Sequence, residues 1–176
     1  MIDMEHQQII ATAWIENLAI EEINMEESGV VHFNDHLDPS VLLEESSIEV
    51  MNLVREKFEI YVTKFNEFRG DINSASQIKV FKISNTVNDF MLFRSSLRMV
   101  VSRKSPGLIQ IGFLSNSGGM FSARPNISTP PMNVAHEIHA HMGPFNKIHW
   151  QFGGEEVDFD SMVKHYLTEF VRYSAR

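Results

Sequence analysis

Four of the chain's eight histidines fall within "AHEIHAHMGPFNKIHW", residues 135–150. Imidazole is the side chain most apt to ligate a metal or to move a proton near neutral pH. Two local structures give this stretch different chemistry. A helical zinc-hydrolase site needs H-E-x-x-H, with both rings on one face. Here Glu137 follows His136, but the next histidines stand three and five places after His136, so that motif fails. On a strand, alternate side chains share a face. Glu137, His139 and His141 then lie on one side, and His136, Ile138, Ala140 and Met142 on the other. "GPFN" reads as a hairpin turn. The returning "KIHWQF" alternates Lys147, His149 and Gln151 with Ile148, Trp150 and Phe152.

The hairpin therefore predicts a polar patch of His139, His141 and His149, with Glu137 beside it. Cross-strand neighbours lie about 5 Å apart, close enough for three imidazoles to share a divalent ion such as zinc. In that reading Glu137 is the base that takes a proton from metal-bound water. The alternative is an ordinary polar sheet face, which accounts for the same residues. His136 points to the core side, as a buried histidine with its own partner.

Other groups could join this patch. Arg94 and Arg98 are expected on the strand face opposite Met91, Phe93 and Leu97. Lys79 lies on a neighbouring strand and Arg124 on a long loop. Guanidinium grips carboxylate or phosphate in a bidentate manner, so such a face suits an anion. A second cluster, His32, Asp35, His36 and Asp38, could complete a metal site from another element, but turn and helix-capping preferences explain it more simply. His165 falls off the apolar stripe of its helix and is expected to be exposed. His6 lies close to the N-terminus. Phosphate-loop, dinucleotide and nucleophile-elbow motifs are missing.

Charge is distributed unevenly. The total is −8, yet residues 1–71 hold sixteen acids and four bases, and residues 72–154 two acids and eight bases. Residues 155–176 hold five acids and three bases. An acidic first part either screens the basic middle or leaves it a cationic surface. Strongly acidic helices beside that surface disfavour duplex nucleic acid. There is no cysteine. That removes thiol chemistry and thiolate metal sites, and fits a reducing, cytoplasmic setting. The first residues, "MIDMEHQQII", lack the basic-then-apolar order of a signal peptide. No run of about 18 apolar residues suggests a membrane span.

The elements that must position these residues follow from periodicity. A first helix is expected from about Met4 to Glu26, stopped by Gly29. "GVVHF" is a strand or an extended connection. A second helix starts at Asp38 as N-cap with Pro39 next, and ends before Gly70. Its stripe is Ile48, Met51, Val54, Phe58, Tyr61, Phe65 and Phe68. From Ile78 the period shortens to two. "QIKVFKIS" reads as a short strand, and 89–115 as two long strands joined at "RKSPG", with a helical reading of 86–100 still open. Residues 115–133 form a long irregular loop, and a helix from about Asp158 to Ser174 closes the chain.

The sequence thus predicts one α+β domain over 1–176. An acidic helical part (1–71) precedes a basic β-rich part (72–154) and a C-terminal helix (155–176). An antiparallel sheet of about five strands carries the helices on its apolar face. The functional expectation is a non-catalytic binding domain. Its basic, His-rich sheet face (Arg94, Arg98, Arg124, His139, His141, His149) would hold a protein partner or small anionic ligand. The rival is a metal-dependent, hydrolytic enzyme using His139, His141, His149 and Glu137. A third expectation is a homodimer through the 40–69 helix.

Overall fold

The computed structural model describes residues 12–30, 38–70, 75–114, 120–121 and 135–175. Two compact units result, residues 1–37 and 38–176. The first contains helix α1, Ala13–Ser28, which ends at Gly29 in the left-handed region at φ 67°, its N–H bonded to Met25 O. The expected start near Met4, residues 31–33 of the "GVVHF" segment and the cluster of His32, Asp35 and His36 lie outside the described residues, as does Arg124.

The second unit begins with helix α2, Pro39–Arg69, and its caps are those the sequence predicts. The Asp38 carboxylate accepts the Ser40 N–H at 2.9 Å, Pro39 occupies the first turn, and Gly70 closes the helix at φ 62°. Thirty-one residues make a rod of about 46 Å. Its buried stripe is Ser47, Val50, Met51, Val54, Phe58 and Val62. Tyr61 and Phe68, expected in that stripe, are exposed, because the inward face drifts toward Val62 along the straight helix.

All strand pairs are antiparallel, and the sheet is a meander: β1 (Lys79–Lys82), β2 (Phe90–Arg94), β3 (Leu97–Ser105), β4 (Leu108–Leu114), β6 (His136–Met142), β7 (Ile148–Phe152) and β8 (Glu155–Glu156) lie side by side in chain order. The two-residue β5 (Met120–Phe121) pairs with β4 beyond the end of β6. The α+β class holds. The sheet has seven strands along its path rather than about five. One extra strand arises because 90–105 is divided by a turn at Ser95–Ser96, and the other because "GGEE" folds the chain back as β8. Residues 86–100 contain no helix.

Helices α2 and α3 (Phe159–Ser174) cover one face of the sheet. That core holds Phe90, Leu92, Met99, Val101, Ile109, Ile111, Phe113, Ile138 and Trp150 from the strands, with Val163, Tyr166 and Phe170 from α3. Phe113 stacks on Phe170, the ring centroids 6.4 Å apart and the planes 10° from parallel. Each such fully buried side chain contributes about 1.5–3 kcal/mol. The β3–β4 turn is tied to α2 by a relay. Gly107 N–H donates to Ser47 Oγ (2.8 Å), which itself donates to Leu43 O (2.6 Å). Gly107 sits at φ 79°, and a Cβ there would meet Leu43 Cδ2 at 3.3 Å.

Candidate functional site

The outer face of the hairpin is built as the alternation predicts. Glu137, His139 and His141 are exposed on β6, while Ile138 is buried beneath them. His141 stands opposite His149 and His139 opposite Gln151. The rings nevertheless take separate partners. His139 Nε2 lies 3.6 Å from Glu137 Oε2, and His149 Nδ1 lies 3.7 Å from Glu156 Oε1. The other edge of the His149 ring rests on Gly143, where a Cβ would come within 3.1 Å of Cδ2 and Nε2. Among the described residues no three His, Asp or Glu side chains stand close enough together to hold a metal ion. A carboxylate beside two of these three histidines also offsets the positive charge this face was expected to offer.

Arg94 and Arg98 are not brought together. Ser95 turns the chain at φ 55°, and the turn resets the alternation. Arg94 therefore pairs with Leu97 on the core side, while Arg98 pairs with Phe93 on the outer side. Arg94 is 6% exposed. Its Nε–H donates to Ser76 O at 2.8 Å, one Nη donates to Ser174 Oγ at 3.3 Å, and its Cζ lies 5.3 Å from the Phe65 ring centre. Burial, and secondarily the Arg69 charge, lower its pKa. Arg94 is thus a structural cation that locks β2 to the end of α3. Arg98 is exposed, its Cζ 5.8 Å from the Phe93 ring centre. Arg103, another cation of the basic middle, binds Glu44 of α2 at 2.8 Å, so part of the charge asymmetry is consumed within the fold.

A more enclosed site lies on the opposite side of the same hairpin. The inner faces of β6, β7 and β8 and the first turns of α3 surround a cavity of about 410 Å³. Ile111, Ile138, Phe152, Val157 and Met162 give it apolar walls, and His136, Tyr166, His165, Ser161, Glu155 and Glu156 contribute polar groups. Each comes from a simple local rule. His136 lies on the core face of β6 by alternation with Glu137. Tyr166 belongs to the inward stripe of α3, and His165 flanks it. Asp158 caps α3, accepting both the N–H and the Oγ–H of Ser161.

The polar centre of this cavity is a hydrogen bond between the Tyr166 phenol and His136 Nδ1. Tyr166 is 3% exposed, and burial pushes its pKa well above the usual tyrosine value, so the phenol keeps its proton. A buried O–H needs an acceptor, and His136 Nδ1 stands where it can supply one. Three edge-to-face contacts fix the rings: His136 on Phe152 (5.1 Å between centres), His136 on Tyr166 (5.8 Å) and His165 on Tyr166 (5.5 Å). The sequence placed His136 toward the core as a buried histidine with a partner of its own; it faces that side and meets Tyr166, but is half-buried. It did not anticipate that α3 leaves space beside it, nor that His165, half-buried rather than exposed, lines that space.

A second hollow of about 610 Å³ runs between α2 and α3, lined by Tyr61, Phe65, Leu167 and Val171, with Asp160, Ser161, Lys164 and Thr168. It contains no histidine. No family model matches the chain, and neither a curated protein nor a solved structure matches it. The functional reading therefore rests on this geometry alone.

Proposed function

We propose that the protein is a non-catalytic binding domain that holds a small organic ligand in the cavity between β6–β8 and α3. The observation that carries this reading is the cavity itself: about 410 Å³, apolar-walled, with a few convergent polar groups, as small-molecule sites generally are. Catalysis is the weaker reading because the reactive groups are already engaged. The His136 and Tyr166 side chains satisfy each other, and the Ser161 hydroxyl is turned to Asp158. The hydrolytic alternative needed His139, His141 and His149 to converge, and nothing in their pairing supports it. The anionic ligand loses Arg94 to the core, and with it the bidentate grip that motivated it.

The homodimer through residues 40–69 would have to use Val41, Leu53, Ile60, Tyr61 and Phe68, the large apolar side chains α2 leaves exposed, since Met51, Val54 and Phe58 are committed to the core. Among the described residues no helix is long and apolar enough to cross a membrane. A cytoplasmic setting belongs to this proposal on the strength of the missing cysteines.

The experiment is a fragment screen read by protein-observed NMR, run on the native chain and on Val157→Trp, which puts bulk into the cavity lining. Fragments should shift resonances of Tyr166, His136 and Met162 in the native chain and lose at least tenfold in affinity in the variant. Binding of equal strength in both would show that the cavity is not the site.

A further inference from the structure

The charges around the cavity select among ligands. Glu155 and Glu156 are among its lining residues, and neither lysine nor arginine is. The two devices that would otherwise attract an anion are both spent. The N-terminus of α3, with its unpaired N–H groups, is an anion site in principle, but the Asp158 carboxylate already accepts from Ser161 there. The nearby cation Lys57 is tied to Asp160 in an ion pair.

Strand register separates the two glutamates. Glu155 pairs with Phe152, and Glu156 with Gln151. Gln151 stands across from His139, on the outer face. Glu155 therefore shares the inner face with Phe152, while Glu156 leans outward to His149 at 3.7 Å. The cavity thus combines a carboxylate at its edge with the rings of Phe152 and Tyr166 along its wall. Aromatic faces attract cations as well as apolar groups.

On the premise that this cavity is a ligand site, we infer that its ligand has an apolar body and a protonated amino group, with the ammonium set against Glu155. The apolar body lies among Ile111, Ile138, Phe152 and Met162.

The test is calorimetric titration with three probes of one shape: 2-phenylethylamine, 2-phenylethanol and 3-phenylpropanoate. The amine should bind about fivefold tighter than the alcohol, the upper end of what one exposed charge pair supplies, and the propanoate weakest. Glu155→Gln should bring the amine down to the alcohol, while Glu156→Gln should leave most of the preference. Added salt should narrow the gap between amine and alcohol. Alcohol and amine binding equally, the propanoate binding best, or Glu155→Gln keeping the preference would each overturn the charge assignment and leave the cavity standing. If none of the three binds, the site itself fails, and this inference fails with it.

Discussion

Removing one oxygen from the cavity tests both the hydrogen bond at its centre and the burial behind it. Tyr166→Phe keeps the ring that touches Phe113 and His136 and deletes only the donor to His136 Nδ1. An acceptor that loses its partner inside a protein costs about 1–3 kcal/mol. His136 is only half-buried, so water reaching it through the cavity places the loss near the lower end, roughly 1–1.5 kcal/mol. The alkaline limb adds a distinctive signature. Burial raises the folded-state pKa of Tyr166 above its unfolded value of about 10. Below pH 10 both states hold the phenolic proton, and its contribution to stability is intact. Above pH 10 the unfolded chain releases that proton while the folded chain retains it. The native chain therefore loses about 1.4 kcal/mol per pH unit through this group. Tyr166→Phe has no such group, so its deficit should shrink and close between pH 10 and pH 11. Urea unfolding from pH 7 to 11 reads this directly, with fluorescence of the buried Trp150 reporting the transition. A deficit that stays constant across that range would mean that Tyr166 ionises as freely when folded as when unfolded, and would refute its burial.

Three further outcomes follow from the same contacts. Arg94→Ala should cost about 2–4 kcal/mol in denaturant unfolding, because it strips donors from Ser76 O and Ser174 Oγ and leaves a void; Arg98→Ala should stay within about 0.5 kcal/mol, and equal effects would contradict their placement on opposite faces. Gly107→Ala should cost about 1–3 kcal/mol by thermal unfolding, from its positive φ and the crowding against Leu43; an unchanged transition would argue for a different turn. Asp38→Ala should cost about 1 kcal/mol through the lost cap on Ser40 N–H, and helicity by circular dichroism should fall with it.

Much of this architecture can be read in the residues. The start and stop of α2 follow from Asp38-Pro39 and Gly70, because capping is a local property. The faces of β6 and β7 follow from alternation, since one side had to be buried. What failed was non-local or rested on a weak local signal. "RSS" at 94–96 carries neither glycine nor proline, so nothing marked the turn that sends Arg94 inward and Arg98 outward. Individual rings on a correctly predicted face still chose partners, Glu137 and Glu156, that lie on it as well. The cavity was half legible: His136 among apolar residues of β6 and Tyr166 within the stripe of α3 were two polar atoms on surfaces bound to meet. The empty volume beside them depends on how α3 settles on the sheet, which no periodicity encodes.

The meander has a consequence for the order of assembly. Every strand pairs with one next to it in chain order, and except at β6, which follows β4 after a long connection, the partner is close by, so the sheet can zip up in sequence while the polypeptide is still emerging from the ribosome. The lid over Ile111 and Phe113 comes last, because Tyr166 and Phe170 belong to the final helix. A nascent chain halted before Asp158 would hold a half-clothed sheet with its oily side bare. Stalled or truncated products of this protein should be the ones that chaperones seize and that clump.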